Sequence, residues 1–478
     1  MSTNTPSGAR AAAKNRPYSG YYQREVPEPD AEIMRTGPGT PMGEFFRRFW
    51  LPVCLSEQVK DLPLAIRIMS EDLVVFRSKE GKIGLLHRHC SHRGASLEYG
   101  IVEEKGLRCC YHGWVFGNDG SLLEAPSEPA NSPIVGTLCQ GAYPAFERDG
   151  MVFAYMGPPE LKPEFEETEF TARSDNKLVP YTNLFGCNWL QVQENIADPY
   201  HTAIFHNGIG NAALREQERA STSLPQAWGA LPVMDYRETE SGAGMIYIAT
   251  RRIEDNVWVR INHFHASTNI EVGTLFGSGR QEVCFQRVSL NRWVVPHDDE
   301  SCTIFAWRHF NDYVDKGEGD PRKLGLEGCD FLGGQVGGRS YEVAQREPGD
   351  WEVIMSQRKM ARHGLEHLRG SDAGVAMWRR LMRKAVRGET PAALPAPAAG
   401  DRLYSEPRRS YAQDTIMRIP ALADEESDRK LMREIGNQVA DIVIGADSFP
   451  AGAQRDAAIV EQLKALDRHY KARAQASA

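Results

Sequence analysis

The chain has 478 residues, a formal net charge of −8, and a composition that is 41% hydrophobic and 25% charged. This is ordinary globular material with length for two or three domains. No Lys/Arg-rich run points to nucleic acid or anionic membrane, and no apolar run approaches the ~18–20 residues of a membrane helix.

Residues 1–30 are polar and lack the apolar core of an export signal, so they read as a disordered lead-in, with the cytoplasm as the expected compartment. From about Gly43 to Pro158 the pattern is β. Leu64–Met69, Leu73–Arg77 and Ile83–Leu86 are short apolar runs, punctuated by Asp72 and by Lys79-Glu80-Gly81. A small all-β domain is expected, with its Cys and His residues on loops. Those residues are Cys90-Ser91-His92, then sixteen residues, then Cys109-Cys110-Tyr111-His112. Two such couples suit a metal held between paired loops. Gly94, Gly106 and Gly113 permit tight backbone there, and Trp114 can shield the site. A structural Cys2His2 zinc site is the competing reading. Cys110 reads as a passive neighbour, and His87 and His89 as structural. Cys54, Cys139, Cys187, Cys284, Cys302 and Cys329 read as small buried apolar residues rather than disulfide partners.

Beyond about Glu164 the character changes. Trp189, Val192, Ile196 and Tyr200 recur at helical spacing across Asn188–Phe205. The same segment carries Asp198, His201 and His206. Asp198 and His201, three apart, share a helix face. The two histidines, five apart, diverge by ~140° on an ideal helix, so they meet at one ion only if the helix ends or distorts between them. A β-rich block follows: Met245–Arg251, Val257–His263, Val283–Leu290 and Thr303–His309. Gly333–Gly338 reads as a loop. Asp350–Leu368 reads as a helix, with His363 and His367 as structural positions on it. Asp372 is a plausible N-cap of a second helix that ends at Gly388. A sheet backed by helices fits this domain. Thr390–Gly400 is a Pro/Ala-rich linker. Two amphipathic helices follow, one with Leu431, Ile435, Val439 and Ile442, the other over about Ala453–Ala474; they read as packing or oligomer elements.

A third, acidic ligand is not picked out by periodicity. Asp298, Asp299, Asp312, Asp320, Asp330, Glu342, Glu347, Asp350 and Glu366 are all candidates. Asn262, His263, His265, Phe276 and Trp307 are candidate pocket walls, and Arg260 and Arg308 candidate anion anchors.

Cys-x-His and Cys-x-x-His-Gly-Trp, with Arg93-Gly94-Ala95-Ser96-Leu97 between them, resemble the Rieske proteins of aromatic-ring oxygenases. Asn195-x-x-Asp198-x-x-His201, then four residues and His206, resembles the iron signature of the same family. Thr36–Gly43, Cys187–Gln191, Trp293–Pro296 and Asp298-Asp299 extend the likeness over most of residues 30–390. They are most similar to the phthalate-dioxygenase-like branch, which also holds aromatic O-demethylases. The resemblance implies an α+β chain. After a lead-in over 1–42 comes an all-β Rieske domain over 43–160. A helix-grip-like catalytic domain of antiparallel sheet and helices follows over 161–390, then a linker and helical extension over 391–478.

It also implies the ligands. Cys90 and Cys109 would hold one iron of a [2Fe–2S] cluster, and His92 and His112 the other, which raises its potential. His201 and His206 would hold a mononuclear Fe(II), completed by a carboxylate sixteen residues before Glu366-His367-Leu368, which is Asp350. Asp198 would bridge a cluster histidine, His112, of a neighbouring subunit to His201 in a homotrimer or hexamer. The chain shows no dinucleotide fingerprint and no second set of cluster cysteines. Electrons from NAD(P)H would therefore arrive through a separate flavin- or ferredoxin-type reductase. The expected reaction is O₂-dependent hydroxylation or O-demethylation of a small aromatic, carboxylated substrate. An electron-transfer protein without oxygenase activity is the rival; it would be about a quarter of this length and lack His201 and His206.

Overall fold

A computed structural model describes residues 16–477 except 130, 208–228, 240, 241, 243, 274–278, 312–338, 347 and 401. The Gly333–Gly338 loop, Phe276, Cys329, Asp312, Asp320, Asp330, Glu347 and residues 1–15 of the expected N-terminal lead-in lie outside the described residues.

The N-terminal part is built from three small antiparallel sheets. One is Leu64–Ile68, Glu71–Arg77 and Ile83–His87; another is Ile101–Val102, Gly106–Arg108, Val115–Gly117 and Leu122–Glu124. The third joins Trp50–Leu55 to Met151–Tyr155 and Ala145–Arg148. Val74, Phe76, Leu86, Leu107, Trp114 and Phe116 form a compact core that includes Cys90 and Cys109. The two cysteine loops therefore spring from strands packed on one another.

The C-terminal part is dominated by a nine-stranded sheet. Its strands are β1 (Lys177–Phe185), β2 (Val233–Glu238), β3 (Gly244–Ile253), β4 (Asn256–His265), β5 (Asn269–Val272), β6 (Val283–Gln286), β7 (Leu290–Asp298), β8 (Ser301–Phe310) and β9 (Gln413–Arg418). The main order is β1-β8-β7-β5-β4-β3-β2, and β9 pairs with β4 and β6. All these pairings are antiparallel. Three of the four expected strands are present and longer, whereas Val283–Leu290 is a strand only over Val283–Gln286. Strand β9 was not anticipated: it lies beyond the Pro/Ala-rich segment yet is buried in the catalytic sheet.

Side chains alternate between the two faces of a strand, and the faces carry different partners. On one face, Phe264 packs against Trp378 of helix α3 (Ala373–Val386), with ring centroids 5.7 Å apart. Helices α1 (Trp189–Ile196) and α2 (Asp350–Ser356) accompany it. On the other face, Ile246, Ile248, Val257, Val259 and Ile261 are covered by Leu431, Ile435 and Val439 of α4 (Glu425–Gly445) and Leu463 of α5 (Ala453–Ser477). Each fully buried Leu, Ile or Val contributes about 1.5–3 kcal/mol, so this tail is a structural cover of the sheet. The N-terminal part leans on the same outer face further along. Phe153 meets Trp293 at 5.7 Å and Trp307 at 5.4 Å.

Two expected helices differ from the reading of the sequence. Asp350–Leu368 is helical only to Ser356, and Arg358 takes a left-handed φ of +80° that a helix cannot continue through. His363 consequently lies in a separate 3₁₀ turn, not one helical turn before His367. Asp372 does precede α3, but its carboxylate accepts from Arg369 N at 2.7 Å rather than capping that helix. Of the isolated cysteines expected to be buried, Cys54, Cys187 and Cys302 are; Cys139 is exposed and Cys284 partly so.

Candidate metal centres

The two cysteine loops have the same internal design. Gly94 N donates to Cys90 O at 2.8 Å, and Gly113 N donates to Cys109 O at 3.1 Å. Both glycines take φ near +77°, at +76° and +77°, a region where a Cβ is strained. The loops thus curl back on their cysteines and carry His92 and His112 outward. Cys90 and Cys109 are each 3% exposed. The Cys90 thiol is pushed up to about 11, first by burial and then by the neighbouring Cys109. The two imidazoles sit edge to face with centroids 4.4 Å apart, and Trp114 stacks on His92 at 4.4 Å and 6°. His112 is lowered by burial and then by the charges of His92 and Arg93, so it stays neutral and able to ligate. Two sulfurs inside and two imidazoles outside form a donor set that suits a two-iron cluster.

Gln140 was not singled out in the sequence. Its Oε1 accepts from Ser91 N at 2.8 Å, and its Nε2 donates to His87 O and His89 O, both at 2.8 Å. It clamps the first loop from 49 residues away, which no local pattern reveals. His89 Nδ1 lies 3.1 Å from Gly94 O, and His87 Nε2 lies 3.3 Å from Glu71, in accord with structural roles.

The second site begins with a helix that is broken twice. Asn188 caps α1 by accepting from Leu190 N at 3.1 Å. Pro199 ends the run, because the residue before a proline avoids the helical region. Asp198 duly takes φ −113°, ψ 83° and accepts from Tyr200 N at 3.1 Å as the cap of a new turn. Residues Thr202–Asn207 then form a π-helix. A π turn closes over five residues instead of four. That is the distortion the His201/His206 spacing requires. The backbone of His206 lies in this turn.

His201 has its ring oriented by its own loop. Its Nδ1 makes a short hydrogen bond to the Asp198 carbonyl oxygen. A carbonyl only accepts, so Nδ1 carries the proton and Nε2 is the ring nitrogen that bears the lone pair. That Nε2 lies 3.5 Å from Asp350 Oδ1. Two donors bound at about 2.0–2.2 Å around one ion are separated by about this distance. Asn195 Nδ2 lies 3.4 Å from His201 Nε2 and donates to Asp350 Oδ1 at 3.5 Å, pointing at the same spot. The donor set therefore fits an iron with open positions. The Asp198 carboxyl is raised by burial, against the pull of His201. The rival acids are engaged elsewhere: Asp298 with Ser301, Asp299 with Thr36 N, Glu342 with Arg346, and Glu366 with Arg379.

Behind the site, Arg379 of α3 holds α1 in place. Its guanidinium donates to Glu194 at 2.5 and 2.7 Å and to Glu366 at 2.5 and 3.1 Å. Among the wall candidates, His263, His265 and Trp307 face the outer side of the sheet, away from α1. Asn262 faces inward and donates to Tyr247 at 2.5 Å. Arg260 is held by Asp414 at 2.8 Å.

His263, His265 and buried Glu271 form another group with metal-like spacing. Arg408 argues against an ion there. Its guanidinium donates to His265 Nδ1 at 3.2 Å, so the proton of neutral His265 sits on Nε2 and is donated to Glu271 at 3.0 Å. Burial would raise Glu271, yet the hydrogen bond from His265 and the nearby His263, 3.6 Å away, hold it low.

Residues 49–141 match the Rieske [2Fe-2S] domain family. Over 451 residues the chain is 45% identical to the tert-butanol monooxygenase / tert-amyl alcohol desaturase oxygenase subunit of Aquincola tertiaricarbonis, covering 93% of this chain and 95% of that one. The chain belongs to the Rieske non-haem iron oxygenases. A second relative in that family, the phenoxybenzoate dioxygenase subunit alpha of Ectopseudomonas oleovorans, is 36% identical over 76% of this chain and 86% of its own. The fold is shared with dicamba monooxygenase bound to dicamba, at a TM-score of 0.51 and 18% identity over 73% of this chain and 99% of that one. As a Rieske oxygenase it uses a [2Fe–2S] cluster, a mononuclear iron, O₂ and reductase-supplied electrons. No helix among the described residues is long and apolar enough to cross a membrane.

Proposed function

We propose that Cys90, His92, Cys109 and His112 hold the cluster and that His201, His206 and Asp350 hold the catalytic iron. The observation that carries the second assignment is the His201 ring: its Nδ1 proton is donated to the Asp198 carbonyl, and its Nε2 faces Asp350 at 3.5 Å. When bound, the cluster supplies electrons one at a time and the iron supplies O₂ activation.

The chain's own residues do the rest. Asp198 orients His201 through its backbone and, in this reading, offers its carboxylate to a cluster histidine, His112, of a neighbouring subunit in a trimer or hexamer. Arg379, Glu194 and Glu366 keep α1 in register with α3. The net reaction is substrate C–H plus O₂, two electrons and two protons, giving C–OH and water. The electrons come from NAD(P)H through a separate flavin- or ferredoxin-type reductase, in the cytoplasm. The substrate is a small organic molecule of the classes named for the two relatives, an aromatic acid or a tertiary alcohol.

Purified protein assayed for iron should contain about three irons per chain, two in the cluster and one mononuclear. With NADH and a surrogate reductase it should consume O₂ and hydroxylate members of one of these two classes. Two irons and no oxygenated product would favour the electron carrier.

A further inference from the structure

Several arginines on or beside the sheet are spent on structure. Arg260 is paired with Asp414 at 2.8 Å, Arg252 with Asp428 at 2.5 Å and Arg287 with Asp456 at 2.6 Å. Arg292 on β7 is different. Its side chain is partly buried with Nε shielded from solvent, and among the described residues it makes neither a hydrogen bond nor an ion pair.

Its direction is fixed by the sheet. The next residue, Trp293, points outward onto Phe153, so Arg292 points to the opposite face. Register agrees. Arg292 lies opposite Ile270, which lies opposite Phe264, and Phe264 packs on Trp378 of α3. On its other side Arg292 lies opposite Ala306, which lies opposite Tyr181 of β1. Tyr181 and Arg292 are thus two strands apart, about 9–10 Å between Cα atoms, with only a methyl group between them. Both long side chains can lean over that methyl. The charge of Arg292 acts on Tyr181, and Arg292 in turn feels Tyr181, Tyr247 and Asp350. Burial lowers the Arg292 guanidinium, the direction expected of a cation with little compensation.

Resting on the oxygenase reading above, we propose that Arg292, with Tyr181 beside it, anchors an oxygen atom of the substrate. That oxygen is a carboxylate or a hydroxyl, and anchoring it sets the carbon to be oxidised against the Asp350 side of the iron site. The chemistry is that of a shielded cationic donor, whose hydrogen bond is worth more than a neutral one. Arg292 is a positioning and specificity residue in this scheme, with no proton or electron to transfer.

The test is equilibrium binding to iron-replete protein, measured by calorimetry with benzoate, 3-phenoxybenzoate, tert-butanol and oxygen-free toluene. At least one oxygenated probe should bind the wild type. Arg292→Met should weaken that probe about tenfold or more, the size expected for losing a charged hydrogen bond, and change toluene less than about threefold. Arg292→Lys should restore part of the benzoate affinity, because the charge returns without the fork. Tyr181→Phe should give a smaller loss. A selective effect on the acids assigns a carboxylate anchor; one on tert-butanol assigns a hydroxyl anchor. The inference is overturned if no oxygenated probe binds wild type. It also falls if Arg292→Met keeps their affinity, or if toluene suffers equally. Iron content and reductase-driven O₂ uptake of the wild type judge the oxygenase reading separately. Failure there sinks that reading, whereas failure of the binding contrast sinks only the role of Arg292.

Discussion

Removing Arg379 should damage this enzyme through stability before it touches chemistry. Arg379 is 6% exposed and Glu194 8% exposed, and together they make two hydrogen bonds at 2.5 and 2.7 Å. Arg379→Met leaves Glu194 as a buried carboxylate with no cation. Breaking such a pair from one side costs about 3–5 kcal/mol. Glu366 loses the same partner, but its side chain is 27% exposed and can hydrate in place. At about 2–4 °C per kcal/mol for a domain of this size, the midpoint of thermal unfolding should fall by about 6–20 °C. Iron retention at the mononuclear site should fall with it, because Glu194 is adjacent to Asn195 on α1. The double variant Glu194→Leu/Arg379→Met removes both charges and fills the space with apolar groups, which is often neutral. It should regain most of the lost midpoint. The measurement is differential scanning fluorimetry with iron analysis on the wild type, the single and the double variant. If the double variant unfolds as early as the single, an uncompensated Glu194 is not the cause and the argument fails.

Other outcomes are open to direct measurement. Asp350→Ala should lower metal content from about three irons per chain to about two, with the visible absorption of the cluster unchanged; loss of cluster absorption as well would contradict the separate assignments. Gln140→Leu deletes three hydrogen bonds at about 1 kcal/mol each. The cluster should bleach faster on mild heating in that variant, and an unchanged bleaching rate would show the clamp to be idle. His265 and His309 are both lowered to about 3, chiefly by burial. Their folded-state values lie below the unfolded 6.5, so the unfolded chain takes up protons first as pH falls. Their full contribution is present above pH 6.5 and is lost as the pH drops toward 3. Each adds a slope of about 1.4 kcal/mol per pH unit in that window. Denaturant midpoints at pH 6.5, 5.5 and 4.5 should fall accordingly, and His309→Gln should flatten the trend; an equal slope in that variant would rule His309 out.

Much of this site was legible in the sequence, because most of the residues proposed as metal ligands are close together along the chain. Cys90, His92, Cys109 and His112 are each fixed by loops of a few residues, and the glycines that let those loops curl, Gly94 and Gly113, stand within four residues of the cysteines. Asp350 was reachable only through resemblance, since it comes from another helix and nothing local marks it. Gln140, Arg379 and Arg292 were invisible for the same reason: each acts on residues at least 13 positions away, through contacts that only the fold creates. The sequence also misled. Arg260 and Arg308 look as suitable for an anion as Arg292 does, but Asp414, which neutralises Arg260, lies 154 residues further on, in a strand the Pro/Ala-rich segment hides. His263 and His265 are on a strand that could line the pocket; alternation from Phe264, which faces the helices, sends both outward.

The most informative irregularity was the five-residue step from His201 to His206. Read as an α-helix it argued against a shared ion, by ~140°. The chain resolves the conflict in its backbone. Pro199 stops α1, Asp198 restarts the chain with its carboxylate on Tyr200 N and its carbonyl on His201, and the turn that follows widens to π geometry. Each step has a separate residue behind it. A misfit between motif spacing and helical period therefore indicated where the helix had to deform, and the deformation is what turns the Nε2 of His201 toward Asp350.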